Sequence, residues 1–143
     1  MDSATPHLVE QGWTIVTDDG FIGLIGPFFH RPGDTGPEFC FPTDARHHNL
    51  RGVLQGGALM TFADRLLGMT TRMATLAPRT ATVQLDVQFI DAVQIGEIVH
   101  ARPRLLRATR NTAFLQTDLT AGGRVVATAQ GIWKLLHPRP SVG

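Results

Sequence analysis

Between about Gly56 and Leu76 the chain carries a helical pattern that is apolar on nearly every side, and this feature restricts its architecture most. Leu59, Phe62, Ala63, Leu66, Leu67, Met73 and Ala74 recur at the i, i+3, i+4, i+7, i+8 spacing of one helical face. The opposite side holds Ala58, Met60, Gly68 and Met69, which are no more polar. A helix of this kind must be covered almost all round, and Pro78 ends it.

After Pro78 the period changes to that of strands. Ala81, Val83, Leu85, Val87 and Phe89 alternate with Thr82, Gln84, Asp86 and Gln88, as in a half-buried strand. Beyond a turn at Ile95-Gly96-Glu97, the alternation Val99, Ala101, Pro103, Leu105 predicts a second strand, with Pro103 marking an edge or bulge. A third is expected over Thr112 to Thr120, a hairpin turn at Gly122-Gly123, and a fourth over Val125 to Leu136. Ala127, Ala129 and Gly131 share one face of that last strand, where small side chains let a helix approach closely. Before the helix, residues 1 to 11 read as a loose start or short helix, Asp18-Asp19-Gly20 as a turn and Phe21 to Phe29 as extended. Arg31 to Pro37 reads as a loop and Glu38 to Phe41 as a short strand. Consecutive strands with short turns pair antiparallel. The expectation is an α+β fold, one domain over residues 1–143, with a long central helix wrapped by a curved antiparallel sheet.

Composition narrows the function classes. A net charge of +1 without a dense basic cluster argues against nucleic acid. Arg102, Arg104, Arg107 and Arg110 have the spacing of a strand's outer face. Charged residues are 17%, below the ~25% of an average domain, as expected where a partner subunit covers surface. No stretch approaches the ~20 apolar residues of a membrane span. Cys40 is the only cysteine, sits between Phe39 and Phe41, and reads as a small core residue in a reducing compartment. A cytoplasmic location is the expectation.

Asp64 is the anomaly. Its neighbours one turn away are Met60, Thr61, Leu67 and Gly68, none of them basic, so no pair on the same helix satisfies it. Gly68 leaves space beside it. Either the acid serves a ligand, or it faces water or pairs across the fold. Gln55-Gly56-Gly57 opens the same helix, and backbone N–H groups there suit an oxyanion. An ordinary flexible helix start explains the same glycines. His47-His48 lacks the companion ligands of a metal site. Ser3 and Ser141 are the only serines and no G-x-S-x-G elbow exists, which excludes a serine hydrolase.

The segment from Asn49 through Gln55-Gly56-Gly57 to Asp64 resembles the hotdog-fold thioesterase superfamily, in particular the branch of the phenylacetate-pathway thioesterases. The run Val87-Gln88-Phe89-Ile90-Asp91-Ala92-Val93-Gln94-Ile95-Gly96 and the closing Val125-Val126-Ala127-Thr128-Ala129-Gln130-Gly131 carry the same likeness, which spans about residues 45 to 136. The resemblance implies acyl-CoA hydrolysis without a cofactor, by a homodimer or homotetramer whose sites lie between subunits. Asn49, Gln55 and Gly56 would come from one subunit and Asp64 from the other. It implies that Gly56, with Gly57 beside it, polarises the thioester carbonyl. Asp64 would act as general base or nucleophile, and Thr82 would hold the water unless it merely faces solvent. Arg107 and Arg110 are candidate contacts for CoA phosphates, or else solvated surface. Where the family often has histidine this chain has Gln55, which donates a hydrogen bond but does not titrate near neutral pH. A non-catalytic acyl-CoA binder on the same fold is the alternative, with a dehydratase or hydratase as a further rival.

Overall fold

The computed structural model describes residues 4–138. Helix α1 (Ala4–Glu10), strand β1 (Thr14–Ile15), a short helix α2 (Phe21–Ile25) and the hairpin β2 (Phe29–Gly33) and β3 (Gly36–Pro42) come first. A 3-10 turn (Ala45–His47) then leads to the long helix α3 (Gly56–Thr75). Five strands follow among the described residues: β4 (Arg79–Phe89), β5 (Ile98–Ala101), β6 (Arg104–Ala108), β7 (Thr112–Ala121) and β8 (Arg124–Leu136). All pairings are antiparallel, and the strand order is β1-β2-β3-β5-β7-β8-β4, with β6 also on β7. Strands β5 and β6 are two halves of one line interrupted at Arg102-Pro103, because Pro103 has no N–H to give β7. This is the hotdog fold, an open antiparallel sheet curved around one long helix.

Two expectations for the N-terminal part fail. Phe21 to Ile25 coil into α2 instead of extending. The segment Arg31 to Pro37 is strand on either side of a tight turn, with Pro32 opposite Pro37. The prolines are tolerated because β1 reaches only Phe29 and His30 of β2, and β5 begins to pair with β3 only at Phe39.

The inner face of the sheet packs on α3. Phe39, Phe41, Val99, Leu115, Leu119, Val126, Ala127, Ala129 and Trp133 meet Leu59, Phe62, Ala63, Leu66 and Leu67 in one core. Phe28 stacks edge-on against Phe41 at 4.8 Å and tilts onto Phe62 at 5.1 Å. On the outer face a small second cluster of Leu8, Trp13, Phe29 and Cys40 lies under α1. At the far end of α3 the covered face is not the expected one. Met73 is 43% exposed, and Met69, Thr70 and Thr71 are buried instead. The two threonines are accommodated because their hydroxyls donate to Leu66 O and Leu67 O at 2.7 and 2.8 Å.

The sheet leaves one stripe of α3 open. Gly57, Met60, Thr61, Asp64, Arg65, Gly68 and Arg72 recur at three- and four-residue spacing and are partly or fully exposed. Strand β4, which flanks this stripe, has β8 on one side and no strand on the other among the described residues. Its Val83 and Phe89 are 63% and 55% exposed, an uncommon arrangement for a free edge.

The alternation read along β4 is broken once. Thr82 faces Trp133 and Gln84 faces Ile132, so Val83 is an extra residue, a bulge. Leu85 and Val87 point to the core, as the alternation requires. Past the bulge the phase reverses. Thr82 hydrogen-bonds to α3, and Thr80 approaches Gly68 of the same helix. A one-residue insertion therefore moves Thr80 and Thr82 from the expected solvent face to the helix side.

No helix of the described residues is long and apolar enough to cross a membrane. Helix α3 ends at Leu76, whose φ of 59° is left-handed and whose N–H donates to Arg72 O at 2.9 Å. That conformation costs a non-glycine residue about 1 kcal/mol, and Leu76 is 86% exposed, so little packing offsets it. Leu76→Gly should therefore raise unfolding free energy by about 0.5–1 kcal/mol. Urea denaturation of the two proteins measures it, and a loss of stability would contradict this account of the helix end.

Candidate active site

Asp64 sits midway along the open stripe of α3, half-buried rather than fully enclosed. Its Oδ1 accepts a hydrogen bond of 2.7 Å from Thr82 Oγ1. Among the described residues no lysine or arginine lies within ion-pair distance of it. The adjacent Arg65 turns to Asp18, 3.6 Å away. Asp64 lines a hollow of about 310 Å³ together with Gly68, Met69, Thr80, Thr82 and Trp133. Arg65, Arg72 and Arg79 are on the same rim. An acid held by one hydroxyl and open on its other oxygen, with arginines on the rim of its hollow, is disposed to orient water or a polar ligand.

The second half of the predicted constellation lies at the start of α3. Gln55 caps the helix with φ −63° and ψ 132° but makes no side-chain cap bond. Its carbonyl accepts from Ala58 N and Leu59 N, and its own N–H donates to His47 O at 2.8 Å. The N–H groups of Gly56 and Gly57 have no acceptor among the described residues, as the first turn of a helix requires. The Phe89 ring shields Gly56, since a Cβ added there would lie 3.3 Å from its Cε1 and Cζ. Asn49 sets the approach: its Oδ1 accepts from Arg51 N and Val53 N at 2.8 and 3.2 Å, closing the turn in which Gly52 has φ +80°. The side-chain oxygen of Asn49 is thus spent on the loop. Asn49, Gln55, Gly56 and Phe89 line a hollow of about 450 Å³ with Asp91, Ala92 and Val93.

The loop after β4 is clamped by Arg124. Its guanidinium donates to Asp91 Oδ2, to both oxygens of Glu97, and to Ala92 O and Ala121 O, at 2.7 to 3.0 Å. The same loop accepts Leu54 N on Val93 O at 2.9 Å, one residue before Gln55. The clamp therefore fixes the wall of the helix-start hollow. Arg124, and after it the backbone N–H of Gln94, hold the Glu97 carboxyl down to about 2. The pairing in turn raises the guanidinium's pKa.

The remaining candidates fall elsewhere. His47 is buried: its Nδ1 accepts from Asp44 N at 3.0 Å, so its Nε2 carries the proton that it donates to Ile25 O. His48 is exposed. No group of metal-ligating side chains forms among the described residues. Burial pushes the Cys40 thiol up to about 12, which leaves it inert. Arg107 on β6 and Arg110 after it are exposed and line neither hollow. A larger hollow of about 620 Å³ on the outer face lies away from Asp64; in it Glu38 pairs with Arg31 and Arg102, and Arg104 with Gln116. Sequence reading missed Thr80, Arg72, Arg79 and Trp133 as neighbours of Asp64. The helical spacing from Asp64 through Gly68 to Arg72 was a usable sign for one of them.

The model of the thioesterase superfamily matches residues 51–128, which contain α3 with Gln55, Gly56 and Asp64, and Thr82 on β4, but neither Asn49 nor Trp133. The chain belongs to that superfamily. It is 31% identical over 117 residues to PA0474 of Pseudomonas aeruginosa, an esterase by name, covering 80% of this chain and 87% of the relative. It is 23% identical over 130 residues to human acyl-coenzyme A thioesterase 13, covering 89% and 93%. Among solved structures, a mutant of the phenylacetic acid degradation protein PaaI from Thermus thermophilus superposes with a TM-score of 0.73 at 20% identity, covering 82% of this chain and all of the other.

Because the Glu97 carboxyl is lowered in the folded chain, its pairing stabilises the fold above the ordinary glutamate range and is lost as pH falls from about 4.5 towards 2. In urea titrations, Glu97→Gln should cost stability at pH 6 to 7, and the gap to the parent should close as pH falls below about 4.5. A gap that stays constant down to pH 3 would remove Glu97 from the acid response.

Proposed function

We propose that this protein hydrolyses acyl-CoA thioesters to the free acid and CoA in a site shared by two protomers. The observation that carries the reading is the open stripe of α3, which holds an unpaired carboxylate bonded to Thr82 and two unused backbone donors. Gly56 and Asp64 are eight residues apart in the sequence, or about 12 Å along the helix axis. A carbonyl carbon within reach of both cannot be served by one chain. Each lies four residues from Met60, which is exposed on the stripe between them. A two-fold axis opposite Met60 sets Gly56 of one protomer level with the partner's Asp64. Gly57 and Thr61 are small enough for the helices to approach, and the exposed β4 edges would then be covered.

In this site the Gly56 N–H, with Gly57 beside it, polarises the thioester carbonyl. Asp64 takes a proton from water held with the help of Thr82, and the hydroxide adds to the carbonyl carbon. Collapse of the oxyanion breaks the C–S bond and releases CoA thiolate, which is then protonated. Direct attack by Asp64, with water then cleaving the anhydride, gives the same products. The Thr82 bond favours the general-base route, because it leaves Oδ2 as the free, oriented acceptor. Gln55 positions substrate without transferring protons, and no cofactor is required. Arg107 and Arg110, which line neither hollow, remain proposed phosphate contacts, and Arg72 and Arg79 of the Asp64 rim join them as candidates. A reducing cytoplasm suits the single buried Cys40.

Asp64→Asn should lower turnover of an acyl-CoA panel by about 10²- to 10⁴-fold without unfolding the chain. Unchanged turnover would sink the catalytic role. Tight acyl-CoA binding without hydrolysis by the parent protein would instead favour the binder reading, which Gln55 in place of histidine suggests.

Gly56→Pro is the sharper variant. Gln55 already has the backbone that precedes proline, and proline suits the first helical position while deleting the N–H; its Cβ requires the exposed Phe89 ring to give by a few tenths of an ångström, so circular dichroism checks the fold. A loss of about 10²- to 10³-fold in kcat is expected. Mixing the Asp64→Asn and Gly56→Pro proteins, each unfolded and refolded together, should restore about a quarter of parental activity, because each mixed dimer holds one complete site. No restoration in a verified mixed dimer would place both halves within one chain.

A further inference from the structure

The hollow beside Asp64 contains polar groups that the proposed hydrolysis does not use. Trp133 is 1% exposed, yet it lines this hollow. Its six-membered ring lies against Gly131, where an added Cβ would come within 2.7 Å of Cζ3 and Cη2. Its pyrrole edge emerges on the other side at Gly68, where a Cβ would sit 3.6 Å from Nε1 and 3.9 Å from Thr80 Oγ1. Neither the indole N–H nor the Thr80 hydroxyl has a hydrogen-bond partner among the described residues. Both groups open onto the hollow, where solvent reaches them, and a bound acyl chain that covered them would have to meet their hydrogen bonds or leave them unpaired. They converge on the space left by a glycine, in a helix interior where alanine is intrinsically favoured.

We propose that Trp133 Nε1 and Thr80 Oγ1 form a specificity niche for an oxygen atom on the acyl group, with Gly68 kept side-chain-free to admit it. Gly68 lies one turn beyond Asp64, about 6 Å along the axis, so the oxygen sits four or five bonds from the thioester carbonyl. The indole donates to that oxygen, and the threonine hydroxyl donates to it or accepts from it. An unsubstituted chain leaves both groups unmet, and this difference in the bound state creates the preference. The inference rests on the thioesterase reading for its substrate class. The niche itself rests on the three residues.

The test compares 5-hydroxyhexanoyl-CoA with hexanoyl-CoA. The parent protein should favour the hydroxylated ester in kcat/KM by about tenfold. Trp133→Phe, Thr80→Val and Gly68→Ala should each bring that ratio towards one, the loss falling on the hydroxylated ester more than on hexanoyl-CoA. The Gly68 methyl fits at ordinary contact distance and should raise the melting temperature, so a lost preference there cannot be misfolding. A parental ratio of one or below overturns the niche, as does an unchanged ratio in folded Gly68→Ala and Thr80→Val. Binding is read separately. The chain has two tryptophans, so Trp13→Phe leaves Trp133 as the sole indole reporter. Tighter binding of the hydroxylated ester by Trp133 fluorescence, with hydrolysis of neither, retains the niche and rejects the thioesterase reading. Equal binding of both esters rejects the niche.

Discussion

The hydrogen bond from Thr82 to Asp64 joins the two layers of the molecule where they matter most. It exists because β4 carries one residue more than its partner β8 needs. Without Val83 as a bulge, the alternation that buries Leu85 and Val87 would point Thr82 and Thr80 away from α3. Asp64 would then face the opening with no protein partner. The bulge is a local irregularity whose effect is on side-chain direction: it places two hydroxyls over a helix that is otherwise apolar. The room for them is made elsewhere, by Gly131 beneath the Trp133 ring and Gly68 at its edge.

The same helix both builds the core and carries the residues of the proposed site, and these tasks divide by face. Leu59, Phe62, Leu66 and Leu67 fill the curve of the sheet, while Gly57, Met60, Asp64 and Gly68 are left outside it. The hollow at the helix start is walled by a loop that Arg124 holds from β8, through contacts with Asp91, Glu97 and two carbonyls. Strand ends, loop and helix cap are thereby one mechanical unit, and the donor N–H groups of Gly56 and Gly57 are placed by packing remote from them.

Much of this was readable in the sequence. The span of α3, the four strand regions after it and the Gly122-Gly123 turn are governed by local periodicity and turn chemistry, and they appear where the pattern puts them. Asp64 stood out because a charge inside an apolar helix violates that pattern. The features that escaped depend on contacts distant in sequence. The hairpin through Pro32 and Pro37 is possible only because its neighbours are too short to need their N–H groups. Exposure of Met73, in place of Met69 and Thr70, reflects where the sheet stops. The bulge was invisible because Ala81 and Val83 continue a smooth alternation that only pairing with Trp133 and Ile132 contradicts. Trp133, far down the chain from Asp64, carries no local sign that its N–H opens beside Gly68.

In the proposed dimer, where the acid of one helix meets the donor end of the other across a dyad, the arrangement has a consequence for how the molecule can change. Every inherited alteration of α3 is written into both sites at once, so neither can drift alone. Gene duplication would lift that tie. One copy could discard its acid and the other its helix start, and a mixed pair would still keep one working centre, leaving the second crevice free to acquire a different role.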